Sequence, residues 1–301
     1  MKKSILFLII LVAGIVPAFS QPNFLQRAQD AVNTITNNET AKSIVKGVAT
    51  FAQSKQAADN LTAENEYYLG RAVAANITGT YKVYRNTALE AYLNRICKAI
   101  VVNSPRPDIY KGYYVAILDT NEINAFATPG GHIFVTRGLI ACAQTEDALA
   151  AVIAHEIAHI QLRHALTSIR NARYANAAIS GALAGIGDTA ANTVNELTSI
   201  MGTSVDEIIT TMVVKGYSKN DELAADKEAL SLLAAAGYDP SAMLGMLEIL
   251  KEKQGNDKKS GFGKTHPTPA DRISAVKKNL GKYKVEDTKS YRTRRFSSNV
   301  R

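Results

Sequence analysis

His155, Glu156 and His159 stand in the stretch AVIAHEIAHIQLRH (151–164), polar residues inside a run that otherwise reads as an apolar helix. On a helix, positions i and i+4 are about 40° apart in projection and one turn along the axis, so both imidazoles can address one ion. Two neutral nitrogens so placed suit Zn²⁺. Glu156, about 100° round from His155, flanks the same surface and can reach water at the metal without ligating it. Ligands and a general base are thereby separated, as metal-assisted hydrolysis requires. The plainer alternative is a buried helix whose histidines are hydrogen-bonded core residues.

A catalytic zinc normally takes three protein ligands and keeps a position for water, so a third ligand must come from elsewhere. The stretch SKNDELAADKEAL (218–230) offers Glu222 and, one turn later, Asp226. Glu222 can bind the metal, while Asp226 can accept a hydrogen bond from the outer ring nitrogen of a ligand histidine and fix its tautomer. Taken alone, such an acidic pair is usually a solvated helix face; after His-Glu-x-x-His it becomes the expected partner. One zinc per chain is the expected cofactor. His132 opens a strand-like run, and His164 lies about 140° round the helix from His159. Both are therefore read as structural.

These residues need elements to hold them. Thr145 can cap the helix of His155, with Glu146 and Asp147 favoured at its positive end. Apolar stripes predict helices over about 61–77 and from Thr87 to Val102, the latter broken by Ser104, Pro105 and Pro107. YYVAIL, EINAFAT and HIFVT, with Pro129-Gly130-Gly131 as a turn, predict a small sheet with a hairpin. From Leu139 onward the chain reads as helical. Lys219 to Ala236 forms a helix ended by Gly237, Asp239-Pro240 restarts the chain, and a polar loop (251–264) leads to a final helix from Pro269. Residues 172–216, rich in Ala, Gly, Ser and Thr, suit a lid over a cleft or a plain helical hairpin.

Composition sets the outer bounds. The 301 residues are 46% hydrophobic and 21% charged, which argues against disorder and against a polytopic membrane protein. Lys2 and Lys3, an apolar run from Ile5 to Val16 and Ala18-Phe19-Ser20 read as a signal peptide (1–20) with Gln21 as the mature start. The apolar core is shorter than the roughly 20 residues of a spanning anchor. An N-terminal helical segment (21–60), a main domain (61–280) and a basic tail (281–301) follow. That tail could touch an anionic membrane surface but is more often a solvated extension, and nucleic acid is not an expected partner of an exported chain. Cys97 and Cys142 leave a disulfide open.

The motifs together resemble the M48 peptidases, a family of zinc endopeptidases. The likeness runs from about Glu64 to Ile273 and rests on Asn124-Ala125-Phe126-Ala127, Pro129 to Val135, Gly138-Leu139, His155-Glu156-Ile157-Ala158-His159, Tyr217-Ser218 with Glu222 and Ala225-Asp226, and Thr265-His266-Pro267 with Arg272-Ile273. It implies zinc on His155, His159 and Glu222, and Glu156 as general base and acid. It also implies that residues 124–127 form a sheet edge to which substrate adds as a β-strand. His266 and Arg272 become candidates for the active-site rim, where His266 would stabilise an oxyanion or occupy the open zinc position. Two departures from family patterns stand out: this sequence shows neither the many membrane helices of prenyl-protein members nor tetratricopeptide repeats.

The expectation is an α+β, mainly helical zincin-like domain with a small sheet beside the active-site helix. Its function would be cleavage of extended or unfolded envelope proteins after export, to the periplasm or beyond it. A zinc-containing, chaperone-like binder of such proteins and an inert bundle with a fortuitous motif are the alternatives. The oligomeric state is open.

Overall fold

The computed structural model describes residues 62–168, 206, 208–254, 265–266, 269–283 and 289–300. All belong to one compact unit, Leu61–Ile169 with Val194–Arg301. The expected signal peptide, the 21–60 segment, the loop after Gln254 and most of 172–216 lie outside the described residues.

Two helices open the unit: α1 (Ala63–Thr80) and α2 (Thr87–Val102). Each starts on a side-chain cap, Thr62 accepting from the Asn65 N–H and Asn86 from that of Leu89. Strands β1 (Tyr114–Leu118), β2 (Ala125–Ala127) and β3 (His132–Thr136) make one sheet in the order β1-β3-β2. The hairpin across Pro129–Gly131 joins β2 and β3 antiparallel, while β1 runs parallel to β3. Then come α3 (Arg137–Cys142), α4 (Glu146–Gln161), α5 (Lys219–Ala235), α6 (Ser241–Gln254), α7 (Pro269–Leu280) and α8 (Lys289–Val300). The α+β reading holds: a mainly helical body with a three-stranded sheet.

The strands are apolar almost throughout because both faces of the sheet are covered. Val115, Ile117, Ala125, Ala127, Ile133 and Val135 face the main core, shared with α2, α4, α5 and α6. Leu118, Phe126 and Phe134 face a second cluster with Leu69, Val73 and Ile77 of α1 and with Ile208, Met212 and Tyr217. The described end of the 172–216 segment therefore packs on the sheet, Met212 lying in a π-helical turn (Thr210–Lys215).

The basic tail is not a solvated extension. Its helix α8 buries Phe296 in the main core. Arg292 Nε donates to Asp147 at 2.8 Å, and Arg295 grips Glu146 through both carboxylate oxygens. The Tyr92 and Tyr238 hydroxyls also donate to Glu146, at 3.0 and 3.3 Å. Glu146 and Asp147 thus anchor α8 as well as opening α4. Cys97 and Cys142 are both free thiols.

Helix α1 lies against the hairpin turn so closely that a Cβ on Gly70 would sit 1.6 Å from the Pro129 carbonyl oxygen. Gly70→Ala is expected to lower the unfolding free energy by about 3 kcal/mol, because backbone must move to make room. Gly79→Ala in the same helix, where nothing lies within 4 Å, is the control. Urea midpoints of the two variants check this, and equal midpoints would refute the packing.

Candidate active site

Helix α4 is buried on every side from Glu146 to Ile160, so it crosses the core and presents no solvent face. Apolar residues all round a helix demand that setting. Thr145 caps it as the sequence suggests, accepting from the Ala148 N–H at 3.1 Å. α5 packs across α4 and starts on a capping box between Ser218 and Asp221, which places Glu222 one turn and Asp226 two turns inside it. His266 arrives on the chain before α7, and α7 carries Arg272.

His155, His159, Glu222 and His266 each bring one ligating atom to a common point, all within 4.8 Å of one another and all buried. Five contacts among these groups lie between 3.0 and 3.5 Å. His155 Nε2 is 3.1 Å from His159 Nε2 and 3.3 Å from His266 Nδ1; His266 Nδ1 is 3.0 Å from Glu222 Oε1; Glu222 oxygens are 3.5 and 3.4 Å from the two Nε2 atoms of α4. Zinc bonds of 2.0–2.2 Å to nitrogen and oxygen require tetrahedral donors about 3.4 Å apart. Three imidazoles and a carboxylate at these distances fit zinc.

Behind the donors lies a charged layer. Asp226 Oδ1 is 3.0 Å from His155 Nδ1, the outer nitrogen, as the helical spacing suggests. Arg272, expected at the rim, is instead 1% exposed. Its guanidinium donates to Asp226 at 2.8 and 2.7 Å and pairs with Glu222 at 2.8 Å. Burial alone would raise both carboxyls, but Arg272, with His266 at Glu222, outweighs it and holds Glu222 and Asp226 well below the usual carboxylate range. Burial and Arg272 push His155 down, yet Asp226 and Glu222 prevail and lift it to about 9.

Glu156 differs from the other carboxylates. Its side chain is buried and neither oxygen has a hydrogen-bond partner among the described residues; His266 Nε2 lies 3.5 Å from Oε1. Burial pushes its carboxyl above the usual range, which moves it toward the pKa of a useful proton acceptor. A buried carboxylate with no donor is costly unless something supplies one.

His159 is kept neutral by burial, as a metal ligand requires, and its ring stacks on Tyr217 with centroids 4.2 Å apart. Its outer nitrogen, Nδ1, lies 2.9 Å from His164 Nδ1. The helical projection had put His164 out of reach. That extrapolation fails because α4 ends at Gln161 and Arg163 turns the chain with φ +55, so His164 no longer follows the helix period. His132 stays away from the site, against Thr128 Oγ1 and the Tyr67 ring.

Strand β2 is the edge of the sheet beside α4. The bonds Thr128 N to His132 O and Thr136 N to Asn124 O set the alternation, so the Ala125 and Ala127 backbone groups point away from β3. Asn124 anchors this edge rather than offering itself to solvent: its Oδ1 accepts from the Ala125 N–H at 2.9 Å and from Thr265 Oγ1 at 3.0 Å. The side chain next to His266 is thus tied to the strand edge. Phe126 is buried in the second core cluster.

Residues 85–280 match the model of peptidase family M48. The chain is 28% identical over 233 residues to a putative beta-barrel assembly-enhancing protease of Vibrio cholerae, covering 75% of this chain and 46% of that protein. It is 29% identical over 204 residues to the mitochondrial metalloendopeptidase OMA1 of Schizosaccharomyces pombe, covering 67% and 56%. The metalloprotease YcaL of Escherichia coli is 26% identical over 186 residues, 62% of this chain and 67% of that protein. The chain spans about half the length of the first two. Among the described residues no helix is long and apolar enough to cross a membrane. With the match extending over most of the chain and a donor set spaced for the metal, the chain belongs to peptidase family M48, and residues 85–280 hold its zinc metalloendopeptidase domain.

Proposed function

We propose that the protein is an exported endopeptidase that cuts extended or unfolded envelope polypeptides, with zinc held by His155, His159 and Glu222. The observation that carries this reading is Glu156: a buried carboxylate without a hydrogen-bond partner among the described residues, beside donors spaced to fit zinc. When bound, zinc supplies Lewis-acid polarisation of a carbonyl and lowers the pKa of water. Glu156 takes the proton of the attacking water and passes it to the leaving nitrogen. Asp226 fixes the His155 ring, and Arg272 holds Asp226 and Glu222 in place from behind.

The substrate class follows from β2. Of the Ala125 and Ala127 backbone groups that point away from β3, the Ala125 N–H is held by Asn124 Oδ1, and the others suit a peptide added as a further strand, which reads main chain more than side chain and so favours unfolded segments. Relatives called beta-barrel assembly-enhancing proteases support an envelope setting, and the signal-peptide pattern of residues 1–20 supports export to the periplasm. His266 would be a fourth donor to that zinc and would hold the site latent until substrate takes its place. Nucleic acid is not a proposed partner, since Arg292 and Arg295 of the basic tail are committed to Asp147 and Glu146.

Metal analysis and proteolysis test the reading together. Purified protein should carry about one zinc per chain and cleave a reduced, carboxymethylated protein far faster than the same protein folded. Changing His155 and His159 together to alanine should remove both metal and cleavage. Full zinc in that double variant would refute the ligand assignment, and equal cleavage of folded and unfolded substrate would refute strand addition.

A further inference from the structure

We propose that His164 is the positioning residue for His159, accepting the hydrogen bond that orients this zinc ligand; the inference rests on the reading of His159 as a ligand. An imidazole that binds metal through Nε2 carries its proton on Nδ1, and in a buried site that N–H needs an acceptor. For His155 the acceptor is the Asp226 carboxylate at 3.0 Å. For His159 it is His164 Nδ1 at 2.9 Å. Two ring nitrogens at this distance need one donor and one acceptor. Because His159 must donate, His164 accepts with Nδ1 and carries its own proton on Nε2.

The surroundings of His164 agree with that tautomer. Its Nε2 faces Asp221 Oδ1 at 3.8 Å, an attraction that favours the proton on this side. Asp221 Oδ2 meanwhile receives the Ser218 hydroxyl at 2.7 Å in the cap of α5. The helix that carries Glu222 is therefore linked through its cap residue to the second ligand of α4. The chain is held in place for this: Arg163, at φ +55, pairs with the buried Glu66 at 3.2 Å and fixes the turn that brings His164 back under His159. His164 itself is 6% exposed. The two ligand histidines are thus supported differently, one by a carboxylate paired with Arg272 and one by a neutral imidazole.

The test compares His164→Leu with His164→Asn in the full chain. Leucine removes the acceptor, whereas the asparagine oxygen can stand near the Nδ1 position. His164→Leu should weaken zinc binding about 10- to 100-fold in competition with a chelator, and should alter the visible absorption of the cobalt-substituted protein. His164→Asn should keep most of the affinity. Wild-type zinc affinity and cobalt spectrum in His164→Leu would overturn the proposal, as would equal losses in the two variants, which would mean packing alone. If the leucine variant does not fold, nitrogen NMR of the histidine rings in the wild-type zinc protein decides: a proton on His164 Nδ1, or none on His159 Nδ1, overturns it. Failure of the ligand reading itself looks different, since zinc would then survive loss of both His155 and His159.

Discussion

Glu156→Gln is expected to abolish peptide-bond cleavage, lowering kcat by about 10²–10⁴-fold while zinc remains bound. Glutamine keeps the size of the side chain and an acceptor oxygen but cannot take up and release a proton. Since the lost interaction is made during the chemical step, kcat and kcat/KM should fall together and KM should change little. The measurement is steady-state cleavage of an unfolded protein, with metal content determined on the same sample. Equal rates in wild type and variant would remove Glu156 as the base and direct attention to His266, whose Nε2 is 3.5 Å from it. Undiminished binding of unfolded protein, with no cleavage even in the wild type, would instead favour the chaperone-like alternative or a latent state held by His266.

Arg272→Met should cost the metal-free protein about 3–5 kcal/mol, the range for leaving a buried charge without its partner. Here one guanidinium, itself fully buried, serves two carboxylates that are also buried, so methionine of similar length restores packing but not charge. The loss should be smaller with zinc bound, because the metal would still neutralise Glu222. Chemical unfolding with and without zinc measures both values; equal stability of variant and wild type without zinc would show that the pair contributes nothing net.

The same arrangement fixes the direction of a pH effect. Arg272 holds Asp226, and His266 with Arg272 holds Glu222, below their ordinary values, so their contribution to stability is complete above about pH 4 and is lost only as pH falls through the depressed native values. Without Arg272, the rise that burial causes in both carboxyls is opposed by the histidines alone, so their native values move up. Acid unfolding of Arg272→Met should then begin at higher pH than in wild type.

Local patterns made much of this protein legible. The Thr145 cap, the limits of α2, the three strands with their Pro129–Gly131 turn and the stop at Gly237 depend on side chains within a few residues of one another, so backbone preference and apolar spacing are enough to find them. His155 and His159 share a face because helix period alone puts them there, and Asp226 follows Glu222 by the same rule. The sequence by itself thus determined which candidate ligands share a helix face, one helix at a time. Only the tertiary structure decided what depends on how separate elements pack: α5 laid across α4 closes the donor set with Glu222, and the chain before α7 brings in His266. Arg272 illustrates the difference, since a cation on an isolated helix reads as exposed until two buried carboxylates require it. His164 illustrates it again, because a single left-handed residue cancels the helical period on which its exclusion depended. Glu146 and Asp147 read as helix-start residues, but their ion pairs reach nearly 150 residues along the chain to α8, a distance over which no local pattern carries information.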